Sequence, residues 1–386
     1  MATKKREVRT VAIVDFGRSP ISRAKGGKLN AMTPLDLASQ VVRKLMARNP
    51  KVPLDQIEHL ACGCSFPEAE AGMNIARQIG LKAGLPECVA ASTVNQFCAS
   101  SQQSTMMLAD AIAVGKAEIA ISVGVEHMTR IPMGGYNPFF DKELMEREFY
   151  LSMGLTAEKL AKEGKISREE QEAFSMESHR KALKAWRDGL LKREVFAIDL
   201  PDGGKLEQDE CPQEPNAEKI KTLKPAFDAK GSVTAATASP VSIGAAAILL
   251  MSVDKAKELG IPVRATFVTT AIAGCDPTRM GMGPIPASRK ALDRAGLKGS
   301  DIDVFEVNEA FAAQSLYCIK ELGWDVKKIN ILGGAIAVGH PLGMSGARII
   351  GATVTALETV KGRYGLATMC VGGGQGATTI LERGEG

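Results

Sequence analysis

Leu54-Asp55-Gln56-Ile57-Glu58-His59-Leu60 and Gly299-Ser300-Asp301-Ile302-Asp303-Val304-Phe305 are two versions of one pattern. Each follows a helical stretch and opens an apolar run. In the first, Leu35, Ala38, Val41, Val42 and Leu45 recur at helical spacing over residues 35–46. In the second, the helix starts near Ser288. Further along, Ile121-Ser122-Val123-Gly124 is echoed by Met369-Cys370-Val371-Gly372 at almost the same offset. The helix after Cys98 is matched by one after Ser345, through Ala347, Ile349 and Ile350. Three echoes in one order indicate two copies of one α/β unit.

Working outward, residues 11–14, 57–62, 90–94 and 119–123 read as short strands, with a helix from about 100 to 114. This alternation predicts a doubly wound α/β layer. From 128 to 241 the chain turns richer in charge, Pro, Gly and Met, with a helix over 168–187 and a turn at Asp202-Gly203-Gly204. The expected plan is therefore an N-terminal half (1–127), an insertion (128–241), a return to the first half (242–268) and a C-terminal half (269–386). Lys219, Lys221 and Lys224 give the insertion a basic stretch, either a solvated face or a contact for a nucleotide phosphate.

The 386 residues are 45% hydrophobic and 24% charged, enough for a large core without staples. A net charge of +4 gives no reason to expect nucleic acid or an anionic membrane. No apolar run reaches the roughly 18 residues of a membrane span. Lys4-Lys5-Arg6 lacks the apolar region of a signal peptide after it. Eight scattered cysteines fit free thiols in a reducing cytoplasm. Cys62 and Cys64 have no second pair at zinc spacing, so no metal site is expected.

Four segments carry candidate chemistry. In Asn95-Gln96-Phe97-Cys98-Ala99-Ser100-Ser101 a cysteine stands where a strand gives way to a helix. Cys98 is either a buried structural thiol or a nucleophile whose thiolate the helix dipole favours. In Gly333-Gly334-Ala335-Ile336-Ala337-Val338-Gly339-His340-Pro341-Leu342-Gly343, one of only four histidines is held in a tight glycine-flanked path. His340 either fills a turn or takes a proton from a thiol. In Met369-Cys370-Val371-Gly372-Gly373-Gly374-Gln375-Gly376 a second thiol precedes three glycines whose N–H groups suit an oxyanion or a phosphate. A Walker loop is excluded because no Lys-Ser or Lys-Thr follows. In Val307-Asn308-Glu309-Ala310-Phe311, Asn308 either caps the next helix or positions a water.

These segments, in this order, resemble the thiolase family, with its patterns N-x-x-C-x-S, N-E-A-F, G-G-A-x-A-x-G-H-P-x-G and C-x-G-G-G-x-G. The resemblance extends over the chain through Glu126-His127-Met128, Gly154-Leu155-Thr156-Ala157-Glu158 and Lys224-Pro225-Ala226-Phe227-Asp228. It implies duplicated α/β halves, layered α/β/α/β/α, with an inserted loop domain covering coenzyme A. It also implies roles. Cys98 attacks a 3-ketoacyl-CoA, and His340 accepts its proton. Cys370 protonates the acetyl-CoA enolate and then activates incoming CoA. His340 with a water on Asn308 makes one oxyanion site, and the N–H groups of Cys98 and Gly372 make the other. Ser239 lies near the pantetheine. Coenzyme A is a substrate, no tightly bound cofactor is implied, and relatives are dimers or tetramers. A hydratase/dehydrogenase partner is left open.

The sequence departs from the family at Gln96 (commonly basic), Ser101 (usually Gly), Thr237 (commonly Asn) and Ile243 (usually Asp). These bear on loop geometry and CoA affinity. Ser152-Met153-Gly154 replaces the His-Met-Gly of short-chain biosynthetic thiolases. That difference, with Gly274-Cys275-Asp276-Pro277 and Cys318-Ile319-Lys320, points to the degradative branch of fatty-acid oxidation. The rivals are an acetoacetyl-CoA thiolase, an acyl-CoA-binding module without turnover, and a Cys/His metal scaffold.

Overall fold

A computed structural model describes residues 8–384; Lys4-Lys5-Arg6 falls outside them. The first half supplies β1 (Val11–Arg18), α1 (Pro34–Arg48), β2 (Ile57–Gly63), α2 (Ile75–Ala83), β3 (Ala90–Val94), α3 (Ser100–Ala113) and β4 (Ile119–His127). The intervening segment holds α4 (Met153–Glu163) and α5 (Arg168–Arg187). The chain then returns as β5 (Ser242–Ser252). After it come β6 (Ala265–Gly274), α6 (Pro284–Ala295), β7 (Val304–Val307), α7 (Ala312–Leu322), α8 (Leu342–Val360), β8 (Tyr364–Val371) and β9 (Gln375–Arg383).

The duplication is plain in the pairing. The first half is ordered β1-β5-β4-β2-β3 and the second β6-β9-β8-β7. In each, two antiparallel pairs lead into a parallel one: β1/β5, β5/β4 then β4/β2, against β6/β9, β9/β8 then β8/β7. The two sheets join where Ala12 meets Thr266 and Ile13 meets Ala265. The boundary expected between 268 and 269 is corrected here. It falls inside β6, which pairs with β9 along its whole length, so the crossover between halves precedes Ala265.

Strand β5 is a continuous apolar run, Ile243 to Met251, because it is covered on both faces. Helices α1 and α2 cover the outer face of the first sheet, and α6 covers that of the second. Between the sheets lie α3 and α8, packed on one another and on both. Glycines make that layer thin enough. A Cβ on Gly346 would stand 2.1 Å from Gln102 N, and one on Gly63 2.1 Å from Ser101 N. The α3 and α8 termini, which carry Cys98 and His340, are thereby brought to one end of the middle layer.

The helix expected over 168–187 is α5. It starts with a full capping box from Ser167 and Glu170. Arg168 on its first turn donates to the carbonyls of Ile220, Lys221 and Leu223, fixing the basic stretch.

Candidate active site

Cys98 lies in a 3-10 turn, Phe97–Ala99, directly ahead of α3. Phe97 has φ of +44°, a left-handed conformation costly for an aromatic residue. The strain turns the chain sharply, so that the next side chain leaves the sheet end and enters a cavity of about 360 Å³. Cys98, His340 and Cys370 all line this cavity, as does Ser239. Most of its wall is apolar, including Met128, Met133, Leu151, Met153, Met280 and Phe311.

The three groups come from three separate segments at the same end of the fold. His340 ends the glycine-flanked loop before α8, and Gly339 has φ of +108°, which only glycine adopts readily. Its Nδ1 lies 2.6 Å from Ser345 Oγ, which itself donates to the Pro341 carbonyl at 3.0 Å. Ser345 therefore accepts from Nδ1–H, so that Nε2 carries the lone pair. Asn308 Nδ2 faces that nitrogen at 3.3 Å. Asn308 Oδ1 is buried without a partner, which suits a bridging water. The capping role for Asn308 is thus corrected: α7 begins after Phe311 with no side-chain cap, and Asn308 is turned to His340.

Cys370 is the next-to-last residue of β8, fully buried, ahead of the glycine turn. The backbone N–H groups of Gly372 and of Cys98 itself favour the Cys98 thiolate. Burial nevertheless outweighs them and pushes the Cys98 thiol up to about 12. Burial and the N–H groups at the helix terminus thus pull the Cys98 thiol in opposite directions. Burial also raises the Cys370 thiol well above its usual range. It lowers His340 to about 3, helped by Arg348. Burial thus favours two neutral thiols and a neutral imidazole at this site.

The departures are absorbed locally. Ser101 Oγ accepts from Ala347 N at 2.8 Å across the halves. Thr237 Oγ1 accepts from Thr234 N at 2.8 Å, and Ile243 is buried in β5. Gln96 donates to Gln375 Oε1 at 3.2 Å. Lys219, Lys221 and Lys224 are exposed and do not line the cavity. Among the described residues no group of three His, Cys, Asp or Glu side chains is placed to hold a metal ion.

Two buried carboxylates to which the sequence reading gives no role tie the site together. Glu309 accepts from Ser178 Oγ, Asn330 Nδ2 and Ile336 N, tying α5 to the His340 loop. Glu126 closes the apolar strand β4, and a charge ending such a run was the available signal.

A duplicated, five-layered α/β fold with two thiols and an imidazole around one apolar cavity defines a cysteine-dependent acyl-transfer enzyme. The thiolase N-terminal domain matches residues 11–254, and the thiolase C-terminal domain matches 261–383. The chain belongs to the thiolase family. It is 47% identical to a 3-ketoacyl-CoA thiolase of Aliivibrio fischeri, over 97% of this chain and all of that one. A Vibrio vulnificus protein of the same description is 46% identical over the same shares. Among solved structures, human mitochondrial 3-ketoacyl-CoA thiolase superposes with a TM-score of 0.90 at 34% identity, covering 97% of this chain and 99% of that one. The Bacillus anthracis acetyl-CoA acetyltransferase gives 0.90 at 35%, covering 98% and 100%.

Proposed function

We propose that this protein is a 3-ketoacyl-CoA thiolase of the degradative type. The observation that carries the mechanism is the meeting of Cys98, His340 and Cys370 at one cavity, with Asn308 behind the imidazole. His340 Nε2 takes the Cys98 proton as the sulfur attacks the 3-keto carbon. The oxyanion is held by the N–H groups of Cys98 and Gly372. The bond between C2 and C3 then breaks. The acetyl-CoA enolate forms against His340 and a water on Asn308, and Cys370 gives it a proton. Incoming CoA loses its thiol proton to Cys370 and takes the acyl group from Cys98, whose sulfur recovers its proton from His340. One oxyanion donor of this kind is worth roughly 3–4 kcal/mol of barrier.

Ser239 at the cavity wall serves the pantetheine, and segment 128–241 serves as the cover over CoA. Ser152 in the wall, where a short-chain enzyme has His, together with the methionine and leucine lining, favours acyl groups beyond four carbons. The edge strand β3 has a free side and half-open side chains, which supports pairing with a second copy as a dimer or a pair of dimers. Among the described residues no helix is long and apolar enough to cross a membrane. We place the enzyme in the cytoplasm, using CoA as substrate without a tightly held cofactor, with a hydratase/dehydrogenase as the neighbouring activity.

The test is CoA-dependent cleavage of 3-ketoacyl-CoA substrates from about four to sixteen carbons, with Cys98→Ala as control. Turnover that rises beyond four carbons and needs Cys98 supports the proposal. Activity confined to acetoacetyl-CoA replaces it with the short-chain reading, and no activity on any substrate with the binding-module reading.

A further inference from the structure

The nucleophile and its base sit on different halves of the duplication, so something must set the distance between them. Glu126 is placed to do this. Its carboxylate is 2% exposed at the end of β4, and Oε2 accepts two backbone hydrogen bonds. One comes from Ser65 N at 2.8 Å, in the loop after β2. The other comes from Gly343 N at 2.7 Å, three residues beyond His340 on the first turn of α8. Ser65 continues the chain of contacts, because its Oγ donates to the Phe97 carbonyl at 2.8 Å. Phe97 is the strained residue immediately before Cys98. A continuous path therefore runs Phe97–Ser65–Glu126–Gly343, with Cys98 at one end and His340 at the other.

The packing supports the same reading independently. A Cβ on Gly343 would stand 2.7 Å from Glu126 Oε2 and 2.7 Å from Cys64 Cα. Glycine is needed there for the first turn of α8 to come down onto the carboxylate. A Cβ on Gly124 would likewise stand 2.7 Å from the Gly343 carbonyl, so β4 and α8 meet backbone to backbone at this point. A buried carboxylate is costly unless donors satisfy it, and here the donors are the loop after β2, which holds the Cys98 turn through Ser65, and the first turn of α8.

We infer that Glu126 is a positioning residue, which fixes the Cys98 loop against the His340 loop through Ser65 and Gly343. The inference rests on the thiolase reading of those two residues. It acts through hydrogen bonding rather than charge. A glutamine of the same shape can present its amide oxygen to both N–H groups and its nitrogen towards Cys64, whose sulfur lies 3.8 Å from Oε1. The negative charge itself works against Cys98 ionisation.

The experiment compares Glu126→Gln, Glu126→Ala and Ser65→Ala with the wild-type enzyme. Four quantities are read: kcat, KM for CoA, the rate of Cys98 alkylation by iodoacetamide, and the thermal midpoint. Glu126→Gln should keep kcat within about threefold. Glu126→Ala should lower kcat by about 10²-fold, the scale of an ångström of misplacement, with KM for CoA little changed. Ser65→Ala should lower kcat less and leave the thermal midpoint closer to wild type, since only the link to Phe97 is cut. Wild-type kcat in both alanine variants overturns the inference. So does a Glu126→Gln enzyme as poor as Glu126→Ala, or a loss in Glu126→Ala that matches its unfolded fraction. If wild-type protein is alkylated at Cys98 yet turns over no 3-ketoacyl-CoA, it is the functional reading that fails. The alkylation rates still test the positioning.

Discussion

Replacing Ser345 by alanine should disable the base without touching the nucleophile. Ser345 Oγ gives its own proton to the Pro341 carbonyl at 3.0 Å and accepts Nδ1–H of His340 at 2.6 Å. That arrangement selects the imidazole tautomer whose Nε2 can receive the Cys98 proton. In Ser345→Ala the Nδ1–H is left without a partner on a ring only 4% exposed. An unmade buried hydrogen bond costs about 1–3 kcal/mol, and the ring escapes the cost by moving its proton to Nε2 while the Asn308 amide turns to offer its unpartnered Oδ1. The active tautomer then lies higher by a similar amount. At 1.36 kcal/mol per tenfold, kcat should fall roughly 5- to 150-fold. KM for CoA should hardly move, since Ser345 does not line the cavity. Steady-state thiolysis and single-turnover acylation of Cys98 measure both quantities. Ser345→Thr, which keeps a hydroxyl, should recover part of the loss. A Ser345→Ala enzyme within twofold of wild type in acylation rate would refute the tautomer argument.

Other consequences are as direct. Cys370→Ala should still be acylated at Cys98 by a simple thioester but lose carbon–carbon cleavage, read by product analysis; wild-type cleavage would remove Cys370 from the mechanism. His340 should stay neutral through pH 5, with no ring titration near 6.5 by NMR, because burial and Arg348 hold it down to about 3. A depressed histidine contributes stability that is present above pH 6.5 and lost as the pH falls towards about 3. Relative to His340→Gln, wild type should therefore lose roughly 1.4 kcal/mol per pH unit below 6.5 in denaturant unfolding; parallel curves would contradict this. Gly343→Ala should cost about 1–3 kcal/mol of stability from overpacking against Glu126 and Cys64, and lower kcat as α8 lifts away; an unchanged melting temperature would count against the close approach.

How much of this was legible in the chain depends on the range of the interaction. The duplication could be read because equivalent strands keep similar apolar patterns, and the matching orders β1-β5-β4-β2 and β6-β9-β8-β7 follow from it. The helix over 168–187 carried its own start signal in Ser167 and Glu170. The positions of Cys98, His340 and Cys370 stood out because each lies where a strand or loop meets glycine or a helix start. What could not be read was set by contacts across the halves. Nothing local in residues 95–101 announces that Phe97 is left-handed, or that Cys98 is buried to 3% exposure. Asn308 looks like a cap until the fold turns it to His340. The boundary drawn between 268 and 269 falls inside β6, a strand tied to the second half by its pairing with β9, a contact more than 100 residues away in sequence.

The most direct measurement is mass spectrometry of the protein mixed with a 3-ketoacyl-CoA of medium chain length and no free CoA. The account predicts an acyl group two carbons shorter than the substrate's, attached to the peptide carrying Cys98 and released when CoA is added. An adduct on another cysteine, or acetyl-CoA released with no acyl group on the protein, would contradict it.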